Sequence, residues 1–160
     1  MAIYMKYASI NGSATAQSHE QWITCGSIQW GGGRAIGTPT GSAKNREASM
    51  VSISEVVITK NQDDSSPELL KRAYVGEDGE EVTIDLTTTS NEGVNTIMQL
   101  ILTNTLVSGF SCSSGGDRPM ESVSLNFTKI ESTFHNQALE GTEASTPFKV
   151  TYDLATAVAT

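Results

Sequence analysis

Positive charge is scarce in this chain of 160 residues. Lysine and arginine together number 10, against 18 aspartates and glutamates, so the formal net charge is −8. Binding to nucleic acid or to an anionic membrane surface needs positive surface that displaces counterions or meets lipid headgroups. The composition therefore argues against both kinds of partner.

Long apolar runs are absent as well. No stretch reaches the about 20 consecutive apolar residues that span a bilayer. The first ten residues lack the basic start and apolar centre of a secretory signal peptide. We predict no membrane insertion and no signal peptide.

Cysteine and histidine are rare, with two of each. Their spacing matches no metal site and no disulfide framework. We predict free thiols at Cys25, in a strand, and at Cys112, in a loop, because a reducing cytoplasm disfavours disulfides. We interpret His19 as a surface or strand-end hydrogen-bonding residue, not a metal ligand.

Motifs for cofactors and catalysis are also missing. Residues 37–44 lack the Gly-Lys-Ser/Thr ending of a P-loop, and residues 31–33 lack the third glycine of a dinucleotide fingerprint. No serine or cysteine sits in a nucleophile elbow. Asp63, Asp64 and Glu68 do not follow EF-hand spacing. We predict no enzymatic activity, no cofactor and no metal.

What the chain does contain is apolar alternation with a period of two, which is typical of strands with one buried face. The predicted strands cover residues 3–7, 21–30, 51–59, 82–86, 97–110, 121–134 and 148–154. With no internal repeat, they predict a mainly β fold in one domain of residues 1–160: an antiparallel barrel or sandwich of two packed sheets.

One short helix is predicted among the strands. Ser66 is a suitable N-cap, Pro67 fits the first helical position, and Glu68 lies near the positive end of the helix dipole. Gly76 is a natural end. This helix should cover the open end or side of the barrel.

The strongest strand signals lie in residues 98–134. The second run there changes its apolar phase near Thr128 and Lys129, which indicates either a bulge or a strand whose two faces are buried at different ends. Between the two runs, residues 111–120 are predicted to form an exposed hairpin loop. The predicted core anchors are Trp22, Trp30, Phe127 and Ile130.

A long segment without periodicity, residues 31–49, is predicted to be an extended loop. It concentrates Arg34, Lys44 and Arg46 in an acidic chain, which suits docking onto an acidic neighbour. The alternative is a solvated loop with no partner.

Two functional classes remain open. A small β-sandwich that binds a ligand such as carbohydrate would display aromatics on loops, whereas most aromatics here lie in alternating strands. A self-assembling structural protein fits better, because the apolar run 97–102 and the phase change suit strand pairing between subunits.

Four blocks of sequence, in order, resemble the haemolysin-coregulated protein (Hcp) family, the tube subunits of the bacterial type VI secretion system. They are residues 18–23 with Trp30, residues 58–69, Gly76 with the strand at 82–86, and the hairpin at 102–134. One departure is Ser132, where the family commonly has a large aromatic.

The resemblance implies a phage tail-tube-like β-barrel that assembles with itself. Family members form homohexameric rings that stack into a tube, contact sheath, spike and baseplate proteins, and carry small effectors in the lumen. It implies a virulence-associated protein made in the bacterial cytoplasm and secreted to the outside or into target cells. It also implies that the loop at 31–49 protrudes and contacts the next ring.

Overall fold

Apolar alternation produces antiparallel strands through most of the chain. A computed structural model describes residues 1–41, 46–91, 93–135 and 147–160. Within these residues the elements are β1 (Ala2–Tyr7), β2 (Ile23–Cys25), β3 (Ser27–Gln29), β4 (Gly32–Gly33), β5 (Ile36–Gly37), β6 (Glu47–Ala48), β7 (Ser52–Ile53), β8 (Val56–Asn61), α1 (Ser66–Val75), β9 (Glu80–Ser90), β10 (Gly93–Ser113), β11 (Met120–Asn126), β12 (Lys129–Phe134), β13 (Phe148–Asp153) and β14 (Val158–Ala159). The fold is mainly β with one short helix, as predicted.

The 21-residue strand β10 belongs to two sheets. Its first part lies between β9 and β12, and its last part, from Leu106 onward, pairs with β11. One sheet therefore has the order β2-β1-β9-β10-β12-β13-β14, and the other has the order β10-β11-β8-β3. A single strand thus holds the two predicted sheets together.

The turn at Gly26 connects the far margins of the two sheets. β2 pairs with β1, and β3 pairs with β8. Between them, the Gly26 N–H donates to the carbonyl of Thr59 at 2.7 Å. The strands therefore follow a circuit, β1-β9-β10-β11-β8-β3, which returns to β1 through β2; β3 and β2 are joined by the chain at Gly26 and not by strand pairing.

The phase change near Thr128 marks the passage from one sheet to the other. β11 buries Val123 and Leu125, whereas β12, two residues further on, buries Ile130. The Thr128 N–H donates to the carbonyl of Thr103 at 3.1 Å, which fixes the crossing against β10. The predicted single strand is therefore two strands in different sheets, and each of them buries a different phase of the alternation.

One apolar core lies inside the circuit. Met5, Ile84, Leu100 and Leu102 have no exposed surface. Burying a side chain of this size stabilises the fold by about 1.5–3 kcal/mol.

The helix begins one residue earlier than predicted. Ser65, not Ser66, occupies the N-cap position, and it makes no side-chain capping bond. The Ser66 hydroxyl instead accepts a hydrogen bond from the Asp63 N–H at 3.0 Å. Gly76 ends the helix as predicted, donating its N–H to the Arg72 carbonyl.

Tyr7 ties the first strand to this core. Its hydroxyl donates to the Thr105 carbonyl at 3.2 Å, and the Arg72 guanidinium lies over its ring at 5.7 Å. Burial raises the pKa of the Tyr7 hydroxyl, and the nearby Arg72 opposes that rise. Residues from β1, β10 and α1 are thereby joined in one contact.

Candidate assembly surfaces

The segment predicted as a long loop extends from the body as a two-stranded arm, described over residues 30–41 and 46–54. β4 pairs with β7, and β5 pairs with β6. Serine hydroxyls support the ladder: the Gly31 N–H donates to Ser54 Oγ at 2.9 Å, and the Ala35 N–H donates to Ser49 Oγ at 3.0 Å. The pairs are only two residues long and mostly exposed, so they leave no apolar alternation in the sequence.

The arm is basic within an acidic chain. Residues 31–50 carry three cations and one carboxylate, a net charge of +2, while the whole chain carries −8. Arg34 is exposed, and Arg46 donates from Nε to Thr38 Oγ1 at 3.3 Å across the arm. Lys44 lies outside the described residues.

An apolar groove of about 290 Å³ lies at the base of the arm. Its lining is Trp30, Gly32, Ile53, Ile130, Ser132, Phe134, Val150 and Tyr152. Ser132 is buried there, and its short side chain occupies little of the space that a large aromatic would fill. The groove therefore exposes apolar surface between the arm and β12–β13.

The outer edge of β13 is only partly paired. Thr151 exchanges two hydrogen bonds with Thr160, and β14 pairs with the following two residues. No described strand covers the outer edge of residues 148–150, where Phe148 is 65% exposed and Val150 56% exposed. Unpaired backbone beside exposed apolar side chains is a template for pairing with another chain.

The four predicted core anchors differ in burial. Phe127 and Ile130 are buried in the core. Trp22 and Trp30 are half-buried, Trp30 at the groove and Trp22 edge-on to His19 with 4.6 Å between ring centroids. Their role as anchors stays a prediction.

Sequence reasoning missed a buried cluster around His19. This residue is 4% exposed, so the surface interpretation was wrong, although the expectation of a hydrogen bond was correct. Its Nε2 lies 2.8 Å from Asp85 Oδ2, and Gln99 donates to Asp85 Oδ1 at 2.8 Å. Its ring stacks on Tyr4 at 4.8 Å. Asp85 lies in the polar phase of β9, between Thr83 and Thr87, so the sequence gives no signal that it is buried.

A second buried cluster surrounds Lys60. Its ammonium donates to Glu121 at 2.7 Å, to Asp63 at 3.0 Å and to the Ser66 hydroxyl at 3.0 Å. One cation thus serves two carboxylates and joins β8, β11 and the start of α1. Lysine in an alternating strand reads as a surface residue, so the sequence does not reveal this cluster.

A polar cavity of about 350 Å³ adjoins the Lys60 cluster. Its lining combines Ser13, Thr24, Cys25, Gly26 and Thr59 through Asp63 with Arg118 and Met120. Burial raises the pKa of the Cys25 thiol to about 12, with Lys60 opposing and Asp63 adding to the rise. This thiol is therefore a poor nucleophile at neutral pH.

Cys112 lies in β10, not in the predicted loop, because the strand continues to Ser113. The hairpin loop is correspondingly shorter, residues 114–119. Cys112 is exposed and Cys25 is buried, and both are free thiols.

In the part of the chain that the structure describes, no three His, Cys, Asp or Glu side chains are grouped so as to hold a metal ion. Over the same residues, no helix is long and apolar enough to cross a membrane.

Comparison with known proteins gives a family and a fold. The family model described as "Type VI secretion system effector, Hcp" matches residues 4–134. A solved "type six secretion system protein" superposes with a TM-score of 0.90 at 22% identity, covering 99% of both chains. Hcp1 from Salmonella typhimurium gives 0.75 at 19% identity, covering 97% of this chain and 95% of its own.

The likeness extends to more distant structures. Hcp3 from Pseudomonas aeruginosa gives a TM-score of 0.58 at 20% identity, covering 95% of this chain and 97% of its own. No curated protein matches this chain by sequence.

Proposed function

Because this chain belongs to the Hcp family of the type VI secretion system, we propose that it is a structural subunit of the secreted inner tube. Six copies close into a ring, and rings stack along an axis. Residues 1–160 act as one domain in this assembly. The family is one of tube proteins, and we propose no catalytic role.

The observation that supports ring closure most directly is the uncovered edge of β13. Phe148 and Val150 are exposed beside backbone whose outer edge pairs with no described strand, and the apolar groove opens next to them. A neighbouring copy that adds a strand there would satisfy the backbone and cover the apolar surface. We propose that Trp30 and Ile130 support this interface from the groove and that Trp22 and Phe127 anchor the body.

Stacking is assigned to the arm. Arg34, Lys44 and Arg46 place positive charge on a projection that contributes little to the core. A contact between different surfaces of identical rings does not close on itself, so it repeats along the axis. The resulting tube carries small effectors in its lumen, meets sheath, spike and baseplate proteins, and is secreted from the bacterial cytoplasm.

Native mass spectrometry of the purified protein tests ring closure. We expect a species of six times 17.0 kDa. Val150→Glu should give a folded monomer, because a carboxylate would be buried at the edge contact. Lys149→Gln is the matched control: its side chain pairs with Glu131 on the opposite face at 2.7 Å, and the ring should persist.

The outcomes distinguish the proposed role as a tube subunit from the proposed ring interface at the edge of β13. A wild-type monomer at micromolar concentration overturns the tube-subunit proposal and favours the ligand-binding sandwich. A hexamer that survives Val150→Glu keeps the subunit proposal but removes the β13 edge from the ring interface.

A further inference from the structure

The segment between β1 and β2 contains the only Asn-Gly pair of this sequence, at Asn11 and Gly12. An asparagine followed by glycine is open to cyclisation, because glycine has no side chain to hinder its own nitrogen. The Gly12 nitrogen attacks Cγ of Asn11 and forms the C–N bond of a succinimide ring. The Cγ–Nδ2 bond breaks, and the amide group takes the Gly12 proton and leaves as ammonia. Water then opens the ring to aspartate or isoaspartate.

The fold keeps the Gly12 nitrogen in a hydrogen bond. The Gly12 N–H donates to the Gln21 carbonyl at 2.7 Å. Beside it, the Ala14 N–H donates to the Trp22 carbonyl at 3.0 Å, and the Gln21 N–H donates to the Ala14 carbonyl at 2.8 Å. We call these three bonds the neck of the loop 12–22. Asn11 is exposed to water, so the closed neck is what separates it from the reaction.

Close packing requires glycine at position 12. A Cβ there would lie 2.4 Å from the Trp22 carbonyl oxygen and 2.5 Å from the Cα of Ile23. No side chain fits against this backbone, so the fold retains the labile pair. The same contact leaves no room for isoaspartate, which lengthens the main chain before Gly12 by one carbon. The neck therefore cannot close again after that product forms.

The far end of the loop is anchored by His19. Its Nε2 lies 2.8 Å from Asp85 Oδ2, while its buried Nδ1 has no hydrogen-bond partner among the described residues. Ser18 and Gln21 have φ values of 70° and 64°, in the left-handed region that residues other than glycine seldom adopt. The loop is thus closed against backbone strain by few bonds, so it opens more readily than the core unfolds.

From these contacts we propose that Asn11 is a gated deamidation site, which is modified only in copies of the protein whose loop 12–22 has opened. The neck protects Asn11, and the isoaspartate product prevents the neck from closing. Each modified chain is therefore a permanent record of an opening event. Ring formation is not needed for this reaction, so its test is independent of the proposed function.

Peptide mass spectrometry of the whole protein, incubated at mildly alkaline pH and digested at intervals, measures the reaction. The folded wild type should deamidate at Asn11 at least about a hundredfold more slowly than the chain in urea. Gln21→Pro should raise the folded rate about tenfold or more, because proline fixes φ at about −65° and lacks the N–H of the neck. Gln21→Gly adopts the observed φ without strain and should lower the rate. Gln21 is exposed, so neither change removes core packing.

Three further variants identify the site and the kind of opening. Asn11→Gln combined with Gln21→Pro should abolish the signal, because a glutamine side chain must close a larger and slower ring. His19→Ala removes the anchor and should raise the rate. Leu125→Ala weakens the core in the other sheet without contacting the loop, so the rate should stay at the wild-type value.

Three results would overturn the proposal. Equal rates in the folded wild type and in urea would show that the neck does not protect Asn11. A rate raised as much by Leu125→Ala as by Gln21→Pro would show that global unfolding, not loop opening, exposes the site. An unchanged rate in a Gln21→Pro variant that is folded by circular dichroism would remove the neck as the gate. If Gln21→Pro does not fold, an unchanged rate in folded His19→Ala decides against the proposal.

Discussion

The body and the arm of this protein hold their shapes by different means. In the body, strands distant in sequence bury a common apolar core, and two polar clusters lie inside it, one joining His19 to Asp85 and one joining Lys60 to Glu121. In the arm, short backbone ladders and hydrogen bonds to serine hydroxyls hold the two strands together, while Ile36 and Met50 remain exposed. A two-stranded ribbon is marginally stable alone. Folding is therefore concentrated in the body, and the arm is available for contact with other molecules.

Of the substitutions that test this difference between body and arm, one at Lys60 in the body should change the free energy of unfolding most. Lys60→Met leaves Asp63 and Glu121 buried without their cation, and we expect a loss of about 4 kcal/mol in the free energy of unfolding. Urea unfolding monitored by circular dichroism measures it. Adding Glu121→Gln should recover part of the loss, and a change below about 1 kcal/mol for the single variant would show that the cluster is not buried in solution.

The next effect compares one apolar side chain in each region. Leu100→Ala opens a cavity in the core and should cost about 3 kcal/mol, whereas Ile36→Ala on the arm should cost less than about 0.5 kcal/mol. The same urea titration measures both variants. Equal losses would break the distinction between a packed body and an exposed arm.

A smaller effect follows from the buried thiol. The pKa of Cys25 is raised from 9.0 to about 12, so the folded state keeps a proton that the unfolded state releases. The stability this provides is complete below pH 9 and is lost as the pH rises from 9 towards 12, about 1 kcal/mol by pH 10. Cys25→Ala should flatten the alkaline fall in stability. Cys112→Ala, at an exposed thiol, serves as control, and an identical slope in both variants would contradict the raised pKa.

The smallest effect on folding is expected from the arm. Deleting residues 38–44 shortens a connection and should change the free energy of unfolding by less than about 1 kcal/mol. Hexamers should persist in native mass spectrometry while tubes are lost in micrographs. If the deletion variant is monomeric, the arm belongs to the ring interface instead. If the variant still forms normal tubes, the arm is a solvated loop with no partner.

Sequence reasoning succeeds where alternation and burial coincide. Leu100 and Leu102, Val123 and Leu125, and the helix end at Gly76 could all be predicted from local patterns. The body of the fold therefore follows from spacing and turn chemistry.

Sequence reasoning fails where the burial of a residue depends on partners that are distant in the chain. His19 is buried because Asp85, 66 positions away, accepts its hydrogen bond, and Lys60 is buried because Glu121, 61 positions away, offers a carboxylate. No local pattern encodes such pairs. The arm escaped prediction for another reason: its strands have no buried face and so no period of two.

The pairing of the first strand with late ones bears on how the chain is made. Tyr7 donates its hydrogen bond to Thr105, 98 positions later. At about 5–20 residues per second, a ribosome needs roughly 5–20 s to cover that interval. β2 arrives early to pair with β1, but β9 and β10 do not. The apolar face of β1 therefore stays uncovered during part of synthesis, and the core is complete only after β12, which supplies Ile130, has left the ribosome.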